Sequence, residues 1–284
     1  MNASYVLALL MQTIEPSMED VGQCDVPIPT DIVPISIDYE PFDFVPASGS
    51  SSIVLRSPAD NEGEFEIALV AENTPNDFAL TFEASSNEAA VTRVSDSAFL
   101  VRSKADSVFS LDITSRVSIH QPPAPGDYGA TYRIDVRDTL SNVECLGRAS
   151  LPIAIRVPPR AQLNIAGADS PFSDGPDLYT VSFDTMETGA ERTVFIQLRS
   201  NSDAVLEFES ENAGSMKSTT GHSVSYTASL NGSILDLSSL YSMSVPSAPT
   251  ARGTNQPLTI RLDDVSEAPA GKYQDRVTIT VSAF

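Results

Sequence analysis

Apolar and polar residues alternate with a period of two in one segment after another of this chain, while sustained helical periodicity is hard to find. Ile35-Ser36-Ile37, Phe65-Glu66-Ile67-Ala68-Leu69, Phe78-Ala79-Leu80-Thr81-Phe82, Val194-Phe195-Ile196-Gln197-Leu198 and Leu258-Thr259-Ile260-Arg261-Leu262 are examples. Successive side chains of a strand point to opposite faces, so this pattern puts one face in a core and the other in water. Turn clusters separate the segments: Pro58-Ala59-Asp60-Asn61-Glu62-Gly63, Thr74-Pro75-Asn76-Asp77, Asn231-Gly232 and Ala268-Pro269-Ala270-Gly271. Short strands at this spacing, with 20 Pro and 14 Gly to serve the loops, predict an all-β chain of antiparallel sandwiches. Residues 236–241 alone suggest a short helix or 3₁₀ turn.

An internal repeat sets the number of sandwiches. In Gly126-Asp127-Tyr128-Gly129-Ala130-Thr131-Tyr132-Arg133-Ile134-Asp135-Val136 and Gly271-Lys272-Tyr273-Gln274-Asp275-Arg276-Val277-Thr278-Ile279-Thr280-Val281, a Gly, a Tyr and three alternating apolar residues keep the same register. Ile53-Val54-Leu55-Arg56-Ser57 and Phe195-Ile196-Gln197-Leu198-Arg199-Ser200 repeat more loosely. The chain therefore reads as an N-terminal segment 1–23, a first domain 24–157 and a second domain 158–284, with Pro158-Pro159 as a short, stiff linker. The halves differ in one respect. After its Gly-Tyr strand the first continues into Leu151-Pro152-Ile153-Ala154-Ile155-Arg156-Val157, one more half-buried strand, and the second has no equivalent before Phe284. Four side chains like Leu151, Ile153, Ile155 and Val157 contribute roughly 1.5–3 kcal/mol each when buried. A sandwich without them exposes an apolar groove and an unpaired strand edge, which a strand from another chain would fill. Closure with fewer strands, or by the N-terminal segment folding back, remains the other reading.

Composition narrows the chemistry. The net charge is −21, from 38 acidic and 17 basic residues, so nucleic acid is not an expected partner. No apolar run reaches the roughly 20 residues of a membrane-spanning helix. Two His, two Cys and no Trp weaken most metal and nucleophile chemistries, and no enzyme activity or cofactor is expected. His120 and His222 read as loop residues. Asp263-Asp264 and the Asp174/Asp177 pair lack the spacing of a calcium loop. Asn231-Gly232-Ser233 matches a glycan sequon, but its Asn-Gly is better explained by a hairpin turn. Cys24 and Cys145 lie too far apart for a metal knuckle and read as a disulfide rather than as two buried thiols, since few Lys and many Ser, Thr and Asp suggest a secreted protein. Closing so long a loop is worth about 4–5 kcal/mol in the chain-entropy account. The run Tyr5-Val6-Leu7-Ala8-Leu9-Leu10-Met11 reads as a degenerate export signal, as an ordinary apolar strand, or as an extended segment that pairs elsewhere.

The C-terminal half resembles the spore coat protein U family, which includes the pilins of archaic chaperone–usher pili. The likeness is densest in Ala270-Gly271-Lys272-Tyr273-Gln274-Asp275-Arg276-Val277-Thr278-Ile279-Thr280-Val281, against a family ending of A-G-x-Y-x-D-x-V-x-V-x-V. It extends to Arg199-Ser200-Asn201-Ser202, to the turn Asn212-Ala213-Gly214, where the family often has Gly at the position of Ala213, and to the hairpin from Tyr226 to Asn231-Gly232. The first half matches only at Cys24-Asp25-Val26 and the Gly126-Tyr128 strand. The resemblance implies immunoglobulin-like sandwiches, the second of them incomplete. It implies a donor-strand groove lined by Val277, Ile279, Val281, Phe284, Tyr179, Val181 and Phe183, with Leu151, Ile153, Ile155 and Val157 as the strand by which the first half completes itself. It further implies a structural or adhesive subunit at a pilus tip, exported through the periplasm to the surface of a Gram-negative bacterium. Its partners would be a periplasmic chaperone, an usher, an adjacent pilin and an unidentified surface ligand. Ligand loops would lie among residues 46–52, 71–77 and 102–107. The alternative is a free, secreted two-domain binding or coat protein with every strand internal.

Overall fold

The computed structural model describes residues 32–43, 45–57, 62–76, 78–118, 122–140, 146–166, 172, 178–250 and 252–284. Cys24, Cys145, His120, Asp174, Asp177 and the segment 1–23 lie outside the described residues.

The described residues are all-β, and their buried side chains form two separate cores. The first core lies between two sheets. One has the order β1-β9-β8-β3-β6-β5, with β1 Ile35–Asp38, β3 Gly63–Asn73, β5 Ala90–Ser95, β6 Ala98–Ser103, β8 Gly126–Asp138 and β9 Leu146–Val157. The other is β2-β7-β4, with β2 Ala47–Arg56, β4 Ala79–Ser85 and β7 Val108–Ser118. The alternation in the sequence does the sorting. In β8, Ala130, Tyr132, Ile134 and Val136 are buried, while Thr131, Arg133 and Asp135 face partly outward. Tyr132 meets Phe82 of the opposite sheet edge to face, with ring centroids 4.7 Å apart. Gly49 lies where β2 passes over β1, and a Cβ there would strike the Ser36 carbonyl and stand 2.9 Å from Ile35 Cγ2.

The second core is built from β10 Ala161–Ala166, β11 Glu191–Ser200, β12 Ala204–Ser210, β13 Ser215–Ser218, β14 Ser223–Leu230, β15 Ser233–Leu235, β16 Tyr241–Val245, β17 Thr254–Leu262, β18 Tyr273–Gln274 and β19 Val277–Ala283. They form a sheet β10-β11-β17-β14-β13-β18, with β15 beside β14, and a three-stranded sheet β16-β12-β19. Residues 236–240 are a turn and not a helix: Asp236 accepts from the backbone N–H and the hydroxyl of Ser238, 3.1 and 2.6 Å away, and these local bonds replace those of a helical turn. Asn231 and Gly232 both have positive φ, 52° and 81°, as the hairpin turn between β14 and β15 requires.

The Asn212-Ala213-Gly214 turn puts Ala213 at φ 55°, a region in which a Cβ is strained. Ala213 is exposed, so nothing else depends on its methyl group. Replacing it with Gly should raise the stability of this half by about 1 kcal/mol, since the relieved strain slightly exceeds the added chain entropy. A denaturant midpoint for Ala213→Gly at or below that of the wild type would contradict the strain.

Candidate functional site

Six strands of each half follow one another in the same chain order and pair in the same way. The ladder β2-β7-β4 of the first has its counterpart in β11-β17-β14, and β8-β3-β6 has its counterpart in β19-β12-β16, every pairing antiparallel. Within each Gly-Tyr segment the Tyr hydroxyl donates to the carbonyl four residues back: Tyr128 to Ala124 at 2.7 Å and Tyr273 to Pro269 at 2.9 Å. The sequence repeat is thus a structural repeat.

The correspondence ends at the strand that follows β8. In the first half, β8 is held on both sides, by β3 and by β9. Leu151, Ile153, Ile155 and Val157 of β9 are at most 2% exposed, and β1 runs parallel along the far side of β9. In the second half, β19 pairs with β12 on one side only. Its other edge has no ladder partner among the described residues. β10, which begins just after the linker, pairs with β11 and lies near β19 without pairing to it.

Burial follows pairing. Tyr132, Ile134 and Val136 are 8%, 0% and 1% exposed, whereas their counterparts Val277, Ile279 and Val281 are only half-buried against the second core. Leu163 and Ile165 of β10 are half-buried in the same way, so apolar side chains flank the free edge from both strands. The site is a strand edge whose backbone donors and acceptors have no ladder partner among the described residues, bordered by incompletely covered apolar residues. Such an edge is suited to adding one extended, alternating strand.

The other expected groove residues lie in different settings. Val181 and Phe183 are half-buried and pack on the second core, with the Arg192 guanidinium 5.4 Å from the Phe183 ring. Residues 178–183 have no ladder partner among the described residues. Tyr179 and Phe284 are exposed, at 45% and 67%. Leu163 and Ile165 were not expected, although their spacing of two was a usable signal. Asp263 and Asp264 serve the local fold: Asp263 accepts from Thr227 at 3.0 Å, and Asp264 accepts from the Ser266 N–H at 2.9 Å and from Thr188. The Ser266 bonds hold the Asp264 carboxyl below the usual range. Of the three loops expected to carry a ligand, 47–52 belongs to β2 and 71–73 to β3; only 104–107 is a connection at the end of the first half remote from the linker.

Asp275 lies in the break between β18 and β19 and ties the site to its own sandwich. It accepts from the Tyr226 hydroxyl at 2.6 Å, from Ser210 Oγ at 2.6 Å, and from the backbone and side-chain nitrogens of Asn212, each at 3.0 Å. Burial, and then the bond to Asp275, push the Tyr226 phenol well above its ordinary value.

No family model matches the chain, and no curated protein is significantly similar to it. Among solved structures, the chain is similar to the CsuC–CsuE chaperone–tip adhesion subunit pre-assembly complex from archaic chaperone–usher Csu pili of Acinetobacter baumannii. The identity is 16% over 88% of this chain and 97% of that one, with a TM-score of 0.47. It is also similar to the CFA/I adhesin CfaE of enterotoxigenic Escherichia coli, at 13% identity over 92% of this chain and 80% of that one, with a TM-score of 0.37. The CssB subunit of colonization factor CS6 from enterotoxigenic Escherichia coli, complemented with a donor strand from CssA, is 11% identical over 46% of this chain and 96% of that one, with a TM-score of 0.29.

Proposed function

We propose that the second half, residues 158–284, is a sandwich completed by a strand from a partner chain, and that the first half, residues 24–157, is complete in itself. The observation that carries this reading is the contrast between β8, enclosed by β9, and β19, open on the equivalent edge with Val277, Ile279 and Val281 half-covered. The partner strand pairs along β19 and places alternate apolar side chains over the core, as β9 does in the first half.

The motif ending in Val277, Ile279 and Val281 and its resemblance to archaic pilins give the reading its setting. The protein is a structural or adhesive subunit at the tip of a chaperone–usher pilus. It is exported through the periplasm, where a chaperone supplies the strand, and assembled at an usher, where an adjacent pilin replaces it. The first half faces outward and meets the surface ligand.

Purification of the tagged full chain from its periplasm tests this. The expected result is an immunoglobulin-like chaperone or a pilin recovered in near-equal amount, with slow hydrogen exchange along β19 that is lost when the partner is removed. A stable monomer whose β19 amides are slow to exchange would sink the proposal. If removal of residues 1–31 then made those amides fast, the chain's own N-terminal segment would be the covering strand.

A further inference from the structure

We infer that the two halves are fixed to each other as one rigid body, and that Asn201 and Arg199 of the second half are the residues that fix them. Asn201, in the turn between β11 and β12, is 3% exposed, and its side chain is fully engaged. Its Nδ2 donates to the Pro123 carbonyl of the first half at 3.2 Å and to the Pro158 carbonyl of the linker at 3.0 Å. Its Oδ1 accepts from the Arg160 N–H at 2.7 Å, and its own N–H donates to the Arg160 carbonyl at 3.1 Å. One side chain therefore reads the backbone of the first half, of the linker and of the first residue beyond it.

Arg199 closes the joint from beside it. Its guanidinium, on a residue 5% exposed, lies 4.9 Å from the ring of Phe42 in the first half and 4.0 Å from that of Phe172 in the second. Its Nε donates to Gln162 Oε1 at 2.7 Å, which holds it in place. Phe42 is buried at 6% exposure. On the outside, Arg160 forms two parallel bonds of 2.7 Å to the Glu40 carboxylate, a forked geometry that resists rotation about the linker. A free linker between independent domains would have no reason to bury Arg and Asn side chains, since each needs partners in fixed places to offset its lost hydration.

The same turn meets the open edge. Ser200 pairs with Ala161 at the start of β10, Ala204 pairs with Ala283 at the end of β19, and the Phe284 N–H donates to the Asp203 carbonyl at 3.1 Å. Load on a strand docked along β19 thus reaches the first half through residues 200–204 with no flexible joint in the path. That consequence rests on the proposed strand docking; the rigid body does not.

The test is backbone ¹⁵N relaxation on the full chain with whatever partner it purifies with. The expected result is one rotational correlation time and one diffusion tensor for both halves, and two separable ones in the double variant Phe42→Ala/Asn201→Ala. Should Asn201→Ala unfold the second half, Asn201→Asp keeps the acceptor for the Arg160 N–H but removes the donor to Pro123 and Pro158, and Asn201→Asp/Phe42→Ala should give the same separation. Two independent correlation times in the wild type, or a single one that survives in a folded variant, would overturn the inference. Either result can be told apart from failure of strand docking, which is read from β19 exchange.

Discussion

Placing Asp at Ile134 should unfold the first half, while Asp at the equivalent Ile279 should leave the second half folded and abolish strand capture. Both residues occupy the same position of the repeat, the middle of the three alternating apolar residues, but Ile134 is fully buried between β3 and β9. A carboxylate there finds no partner and no water, and this cost, added to about 2–5 kcal/mol of lost Ile packing, is comparable to a typical domain's whole stability of about 5–15 kcal/mol. Ile279 is half-buried, with β12 on one side and no ladder partner on the other among the described residues. The charge can reach water past the open edge, so the loss is about 1–2 kcal/mol of apolar burial. Once a partner strand covers the edge the same charge becomes buried, and strand affinity should fall at least ~100-fold. Methyl NMR of the two halves with a calorimetric titration of a donor peptide separates these effects. Equal destabilisation by the two variants would show that β19 is enclosed, and the proposed docking would fall with it.

Asp275→Ala should cost the second half about 4 kcal/mol. The change removes an acceptor of four hydrogen bonds and strands the hydroxyl of Tyr226, a residue only 8% exposed. Asp275→Ala combined with Tyr226→Phe should cost less than the sum of the two, since the orphaned hydroxyl is then gone. The pair also predicts alkaline behaviour. The fold holds the Tyr226 proton more tightly than the unfolded chain does, so this stability is complete below the unfolded Tyr value of about 10 and is lost as pH rises above it. Tyr226→Phe should flatten that part of the pH profile. The methyl signals of Ile196 and Ile260 report the second half alone, which matters because Tyr39 and Tyr132, also raised by burial, lie in the first. An unchanged alkaline profile in Tyr226→Phe would assign the loss to other groups.

Much of this architecture is written in local pattern. The period-two alternation of Phe65–Leu69, Val194–Leu198 and Leu258–Leu262 becomes strands because only one face of each can be buried, and that depends on residue order alone. The Gly-Tyr repeat likewise carries its own geometry, since each Tyr bonds four residues back. Where pattern misled, a local partner intervened: residues 236–240 turn because Asp236 captures the Ser238 N–H.

Sequence by itself thus determined that the chain is all-β, that a Gly-Tyr segment recurs in each half, and that in the first half a strand holding Leu151, Ile153, Ile155 and Val157 follows it. Tertiary structure decided what surrounds these segments: β1 parallel to β9, β10 turned instead onto β11, and Leu163 and Ile165 brought to the rim of the free edge. It alone brought the Asn201 side chain to the Pro123 and Pro158 carbonyls and the Arg199 guanidinium to the Phe42 ring. The physical reason is range. Strand periodicity is enforced between neighbours in the chain, whereas strand pairing and the burial of a polar side chain depend on groups tens of residues away, whose arrival no local pattern encodes.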